Sequence, residues 1–250
     1  MEVHHHPNLH PKKKKLREYF LECIMIFLAV TLGFFAETIR ENISEKHRER
    51  DYIAGLINNL QTDTANLNGL IARNDRSLKG MDSLLNISKN NFADISVQDS
   101  IFYYAIDYTF DLHLFQFSDL TLVQLRNAGG YSLIKSSHVA DSIALYESKN
   151  NSIKIQERFF TDSYLQTISV FKQVFDGTIL ERFSQSFRKT NRIPADLTVL
   201  ISKDPEKMHL LCNNYWMTSL ILKSYNGMLR EHLVYLKGFL LFLKQKYDME

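Results

Sequence analysis

Two different hydrophobic patterns follow one another along this chain. From Tyr19 to Ala36 the residues read YFLECIMIFLAVTLGFFA, apolar on every side, with Glu22 as the only charge. Further on, Ile53, Ile57, Leu60, Thr64, Leu67, Ile71, Asn74, Leu78, Met81 and Leu85 step by four and three residues without a slip. A helix that is apolar all round has no face for water and belongs in lipid or deep in a core. A stripe repeating every 3.5 residues is instead the seam of helices packed side by side, as in a coiled coil. Carried backwards, the same steps pass Arg50, Lys46, Ile43 and Ile39 to reach Ala36. One helix is therefore expected to run from the apolar stretch, through a charged neck, into the seam.

Three more helical segments follow. The second covers Val97 to Asn127, aromatic-rich from Phe102 to Phe117, with a break expected near Phe117 where Ser118 or Asp119 can cap a new helix. Gly129-Gly130 ends it. The third runs from Ser136 or Ser137 toward Asp176, with Gly177 as its stop and Val139, Ile143, Tyr146, Ile153, Phe160, Ile168, Phe171 and Phe175 along its apolar line. A short amphipathic piece, Ile179 to Phe187, leads into a loop from Arg188 to Pro205. The last helix, Pro205 to Tyr247, carries a second unbroken seam through Met208, Leu211, Tyr215, Thr218, Leu222, Tyr225, Leu229, His232, Leu236, Phe239 and Leu243. Only four Pro and nine Gly in 250 residues also favour long helices over a turn-dense β-fold. The expected fold is all-α: an N-terminal transmembrane helix continuing into an up-down-up-down four-helix bundle.

The apolar stretch has the dimensions of an anchor. Extended to Ile39 it spans 21 residues, about 30 Å of helix. Glu22 and Glu37 then fall near the headgroups, and Tyr19 and Phe20 form an aromatic belt. A cleaved signal peptide fits less well, because Phe34 and Phe35 stand where a cleavage site needs small residues. Lys12, Lys13, Lys14, Lys15 and Arg17 precede the span, whereas the flank after it mixes signs. The positive-inside rule then holds the N-terminus in the cytoplasm. The expected divisions are a His/Lys-rich cytoplasmic tail (1–18), the span (19–39), a charged helical neck (40–52) and an extracytoplasmic bundle (53–250).

One face of the span stands out. Glu22, Ile26, Ala29, Gly33, Ala36 and Arg40 lie within about 40° of one line at 100° per residue. Ala29 and Gly33 make a small-xxx-small pair that lets helices approach closely in lipid, and a carboxylate on that line favours a protein partner over lipid. The expected partners are membrane lipid and a second copy or another membrane protein. At the C-terminal end, Phe239 to Leu243 give five apolar residues in a row where a seam needs two, so Leu240, Leu241 or Phe242 is expected to face outward, flanked by Lys237, Lys244 and Lys246. Those final turns are expected to return to the bilayer surface.

Little in the chain points to catalysis. His4, His5, His6 and His10 offer imidazoles, but a short tail lacks the fixed geometry of a metal site. His113, His138, His209 and His232 have no metal-ligand spacing, and His232 on the last seam reads as a hydrogen-bonded core histidine. Nucleotide-binding glycine loops and a nucleophile elbow are missing. The aromatic cluster Phe102, Tyr103, Tyr104, Tyr108, Phe110, Phe115 and Phe117 reads as core before it reads as a ligand pocket. With 30 Lys and Arg against 28 Asp and Glu there is no basic field for nucleic acid. Cys23 and Cys212 make no disulfide framework. No enzyme activity and no cofactor are expected.

HHHP, the Lys run and FLECIMIFLAVTLGFFAETIRE at the start, with LTLVQLRNAGGYSLIKSSHVADSI from Leu120 to Ile143, resemble an uncharacterised family of bacterial membrane proteins found mainly in Bacteroidetes-type genomes. That resemblance implies an inner-membrane protein with a helical periplasmic domain and carries no activity, cofactor or catalytic residue. The topology is also similar to the four-helix ligand domains of bacterial chemoreceptors, a likeness of fold alone. The leading expectation is an interaction or scaffold protein held at the membrane. The alternative is an extracytoplasmic sensory or ligand-binding module that works with a separate partner.

Overall fold

The structure, a computed structural model, describes residues 16–109, 112–127, 129–179, 200–202 and 204–249. Its elements are α1 (Leu16–Ile87), α2 (Ile95–Thr109), α3 (Leu120–Asn127), a 3₁₀ turn (Gly130–Leu133), α4 (Ser137–Val174) and α5 (Pro205–Tyr247). The protein is all-helical: among the described residues, β pairing is limited to a single antiparallel bridge between Phe175 and Leu200. The chain divides into two compact units, residues 1–51 and 52–250, and α1 contributes to both.

In the first unit the apolar stretch of α1 is bare. Phe20, Phe27 and Phe34 are 65, 68 and 72% exposed. An 18-residue window of this helix has a mean hydropathy of 2.1 and no part of it is buried. The helix is therefore long and apolar enough to cross a membrane.

In the second unit, cross-helix hydrogen bonds set the directions. Lys223 Nζ donates to Asp82 at 3.2 Å and the Asn226 amide donates to Asp75 at 2.7 Å, so α5 descends as α1 climbs. Thr218 shares hydroxyl bonds with Ser163 at 2.7 Å and Thr167 at 2.8 Å, while Tyr235 donates to the Ser142 carbonyl at 2.6 Å. α5 is thus antiparallel to α4 as well. α2 turns back along α1, where Arg76 meets Asp107 at 3.1 Å, and stacks Phe102 on Phe171 of α4, with Phe175 just past the end of α4 tilted against the same ring.

The stripes become the core. Every position of the α5 seam, Met208 to Leu243, is buried. On α1, Thr64, Leu78 and Leu85 are only half-buried, and Leu56, Asp63, Leu70 and Leu84 are buried in addition. A helix covered from two sides needs an apolar band wider than a strict 3.5-residue seam, and this second line, spaced by sevens, supplies it. Within the seam, Asn74 reaches across to Asn226 at 3.4 Å, whereas Thr64 bonds the Leu60 carbonyl of its own helix.

Helix ends follow local chemistry. The Asp204 carboxylate accepts from Glu206 N at 2.9 Å, with Pro205 in the first turn of α5. The Asp94 carboxylate likewise caps α2 through Ser96 N at 2.8 Å. Gly129 closes the α3 turn at φ 64°, a left-handed conformation natural to glycine.

The second segment departs from expectation. Helix stops at Thr109, not near Phe117, and Leu112 to Asp119 are non-helical before α3 begins. Phe115 is buried and Phe117 half-buried, while Leu114 and Gln116 on either side of Phe115 are exposed. Alternation by two points both rings inward; a helix would separate them by about 200°. Of the aromatic cluster, Phe102 and Phe115 are core and Tyr103, Tyr104 and Phe117 pack at its margin. Phe110, the Tyr108 side chain and the piece from 180 to 187 lie outside the described residues. At the end of α5, Leu241 is 57% exposed, and Leu240 and Phe242 pack partly against the core.

Candidate functional site

Glu22, Ile26, Ala29, Gly33, Ala36 and Arg40 all lie on α1 in the first unit, and all are exposed. A Cβ on Gly33 would meet nothing within 4 Å, so its small size answers no neighbour in this chain. Arg40 Nε donates to Glu37 at 2.9 Å along the same helix. Arg17 is exposed in the first turn of α1. Lys12, Lys13, Lys14 and Lys15, and His4, His5, His6 and His10, lie outside the described residues. Among the described residues no cluster of three or more His, Cys, Asp or Glu side chains gathers as a metal site would require.

The second unit holds a polar system inside its core, built around the extended stretch. Two carboxylate–tyrosine pairs grip that stretch by its backbone. Asp63 of α1 accepts the Tyr146 hydroxyl of α4 and the Ser118 N–H, the latter at 2.8 Å. Glu157 of α4 accepts the Tyr225 hydroxyl of α5 at 2.7 Å and the Phe115 N–H at 2.8 Å. Backbone N–H groups excluded from helix need partners when buried, and each carboxylate supplies one while satisfying a core tyrosine. Burial pushes the Asp63 carboxyl above the usual carboxylate range, against the pull of its Tyr146 and Ser118 donors. Burial also pushes the Tyr146 and Tyr225 hydroxyls up, reinforced by Asp63 and Glu157 respectively. Both carboxylates are taken up by structural donors and act as clamps.

His232 completes the arrangement and corrects an expectation. It is a core residue, 1% exposed, but neither ring nitrogen has a hydrogen-bond partner. Its imidazole stacks on Tyr146 at 5.8 Å, with Phe115 edge-on at 6.1 Å and Tyr235 at 6.2 Å. Burial, with Lys149 nearby, lowers its pKa to about 4, so it is a neutral aromatic plate at physiological pH.

Hollows open on the surface of this unit. One of 540 Å³ lies between α1, at Gly69 and Arg73, and the extended stretch, at Leu112 and Gln116. One of 630 Å³ separates α1 from α5 beside Asp82, Cys212 and Trp216. A smaller one of 160 Å³ is lined by Phe117, Leu122, Arg126, Glu147, Asn150 and Asn151. Arg126 and Glu147 face each other there at 3.0 Å. On α5, Trp216, Met217 and Leu220 are 52, 47 and 42% exposed.

Apolar spacing marks none of Asp63, Glu157, Asn150 and Asn226: Asp63, Glu157 and Asn226 sit beside the stripes, and Asn150 fills the step between Tyr146 and Ile153 on the α4 line with a polar side chain. The available signal was indirect: core tyrosines at Tyr146 and Tyr225 require acceptors for their hydroxyls. Comparison of the chain with protein families, curated proteins and solved structures finds no match.

Proposed function

We propose that this is a single-span bacterial inner-membrane protein whose extracytoplasmic helical bundle serves as an interaction scaffold. One observation carries the reading: α1 is a single 72-residue helix that holds both the bare apolar stretch and the first buried stripe of the helical unit. Bare Phe, Leu and Ile side chains each forgo about 1.5–3 kcal/mol of burial in water, and a bilayer removes that cost. The bundle reading takes α1 from Tyr52, then α2 with the extended stretch and α3, then α4 and α5, as four arms in up-down-up-down order. The Lys12–Lys15 run holds the tail in the cytoplasm, and the sequence likeness to the Bacteroidetes-type family supports the same placement. The Glu22–Gly33 face of the span pairs two copies or docks a membrane partner. On α5, exposed Trp216, Met217 and Leu220 give the bundle an apolar contact surface.

The test is a pair of reporters fused after Glu250, one active only outside the cytoplasm and one only within it. The external reporter should work and the cytoplasmic one stay silent. The reverse result ends the orientation and, with it, the extracytoplasmic scaffold.

A further inference from the structure

We propose that the hollow between α1 and the extended stretch receives a peptide in extended conformation, paired to the backbone of Leu114 and Gln116 and carrying a carboxylate for Arg73. This goes beyond the scaffold reading by naming a class of partner. It stands on the helical unit alone, so the orientation of the chain in the membrane does not bear on it.

The stretch offers its backbone. In an extended chain, amides at alternate positions point to the same edge. Phe115 N–H points to α4, where Glu157 accepts it at 2.8 Å, and Ser118 N–H points to α1, where Asp63 accepts it at 2.8 Å. The N–H groups of Leu114 and Gln116 therefore share the Ser118 edge and look toward α1. Among the described residues, neither Leu114 nor Gln116 makes a hydrogen bond. What faces them is the 540 Å³ hollow. A row of unpaired backbone groups spaced by two is a template for one more strand.

The opposite wall fits such a strand. α1 lines the hollow from Ala65 to Arg73, about 12 Å of helix, and the stretch lines it from Leu112 to Gln116, about 13 Å of extended chain. The two walls run side by side for the length of about five extended residues. α1 presents small residues, Ala65 and Gly69, where a strand has to approach closely. A Cβ on Gly69 would meet nothing within 4 Å. This exposed mid-helix glycine weakens α1 relative to alanine and leaves room that no described residue fills. Leu70 and Phe115 are both buried and form an apolar floor, so the peptide places apolar side chains inward at alternate positions.

Charge fixes one end. Asp63 meets the stretch at Ser118, and Arg73, about three helical turns further along α1, stands at the Leu112 end. Arg73 forms no ion pair among the described residues. A carboxylate placed there meets a planar fork with two parallel donors.

The experiment uses the full chain in detergent micelles with two probes, acetyl-Glu-Val-Thr-Val-Thr-amide and acetyl-Thr-Val-Thr-Val-Glu-amide, which offer the carboxylate at either end. The same peptides with their three central amides N-methylated are the controls. Hydrogen exchange at single amides reads the contact, and calorimetry reads the affinity. The Leu114 and Gln116 amides should exchange freely in the protein alone and slow about tenfold or more when one of the peptides saturates it. N-methylation should abolish both signals, because it removes the pairing donors. Arg73→Gln should weaken binding about threefold, as loss of an exposed ion pair does. Changing the peptide's Glu to Gln should then weaken it no further in that variant. Gly69→Leu should abolish binding while leaving the thermal midpoint unchanged or higher, since it adds bulk to open space and favours helix.

The proposal is overturned if neither peptide protects these amides at about ten millimolar, a concentration at which mass action reveals a millimolar Kd. It also fails if the N-methylated peptides bind as well, or if binding survives Gly69→Leu. Protection before any peptide is added would assign the edge to this chain's own backbone. Protection that grows with protein concentration alone would assign it to a second copy. Either result overturns the peptide reading.

Discussion

Tyr146 donates its hydroxyl to the Asp63 carboxylate, joining α4 to α1 across 83 residues of sequence with both side chains fully buried. Removing one member of such a pair leaves the other unsatisfied, which costs more than the bond itself contributes. Tyr146→Phe should therefore destabilise the helical unit by about 1–3 kcal/mol. Tyr225→Phe should cost less, because its partner Glu157 is only half-buried and keeps the Phe115 N–H. Urea unfolding followed by circular dichroism measures both. Equal losses would show that burial of the carboxylate does not set the cost.

His232 should make the protein acid-sensitive. Its folded pKa of about 4 lies below the ordinary 6.5, so it contributes stability that is fully present above 6.5 and lost as pH falls toward 4. The span of that shift corresponds to about 3 kcal/mol. Asp63 acts in the opposite sense, since its raised pKa favours the neutral form in the fold. The comparison is thus between the protein and His232→Phe, which keeps an aromatic plate on Tyr146. The variant should lose less stability between pH 6.5 and 4. Parallel pH profiles would rule His232 out.

Adjacent glycines should fail for different reasons. A Cβ on Gly130 would stand 3.1 Å from the Leu125 Cα and 3.2 Å from the Tyr52 ring. Gly130→Ala forces backbone apart and should cost about 1–3 kcal/mol. Gly129 has open space around it, and its φ of 64° is the constraint. Gly129→Asn should therefore be tolerated better than Gly129→Val, because asparagine enters the left-handed region readily and a β-branched residue does not. Thermal midpoints of the three variants decide this.

In membranes, Gly33→Ile should reduce crosslinking between copies or to a membrane partner, since it places bulk on the line of Glu22 and Ala29. Leu32→Ile, off that line, is the control. Equal crosslinking in all three proteins would assign the contact elsewhere.

Neutral residues in place of Lys12, Lys13, Lys14 and Lys15 should yield a mixed orientation, seen as signal from both reporters at the C-terminus. A single unchanged orientation would remove the tail's charges as the topology determinant.

Several features were readable from the chain alone because they are local. Uncharged and mostly apolar residues from Cys23 to Ala36 declare a helix without a solvated face, and the three-and-four steps from Met208 to Leu243 mark a buried stripe. Pro205 and Gly129 name helix ends through their own backbone preferences. The extended stretch around Phe115 was not readable in this way. Its amides leave the helical pattern only because Asp63 and Glu157, brought in from α1 and α4, accept them. Burial of Asp63 and the bare ring of His232 depend in the same way on which helices meet. A repeat of three or four residues tells which side of a helix is covered. It carries no information about the neighbour that covers it, and hydrogen-bond satisfaction in the core is decided by that neighbour.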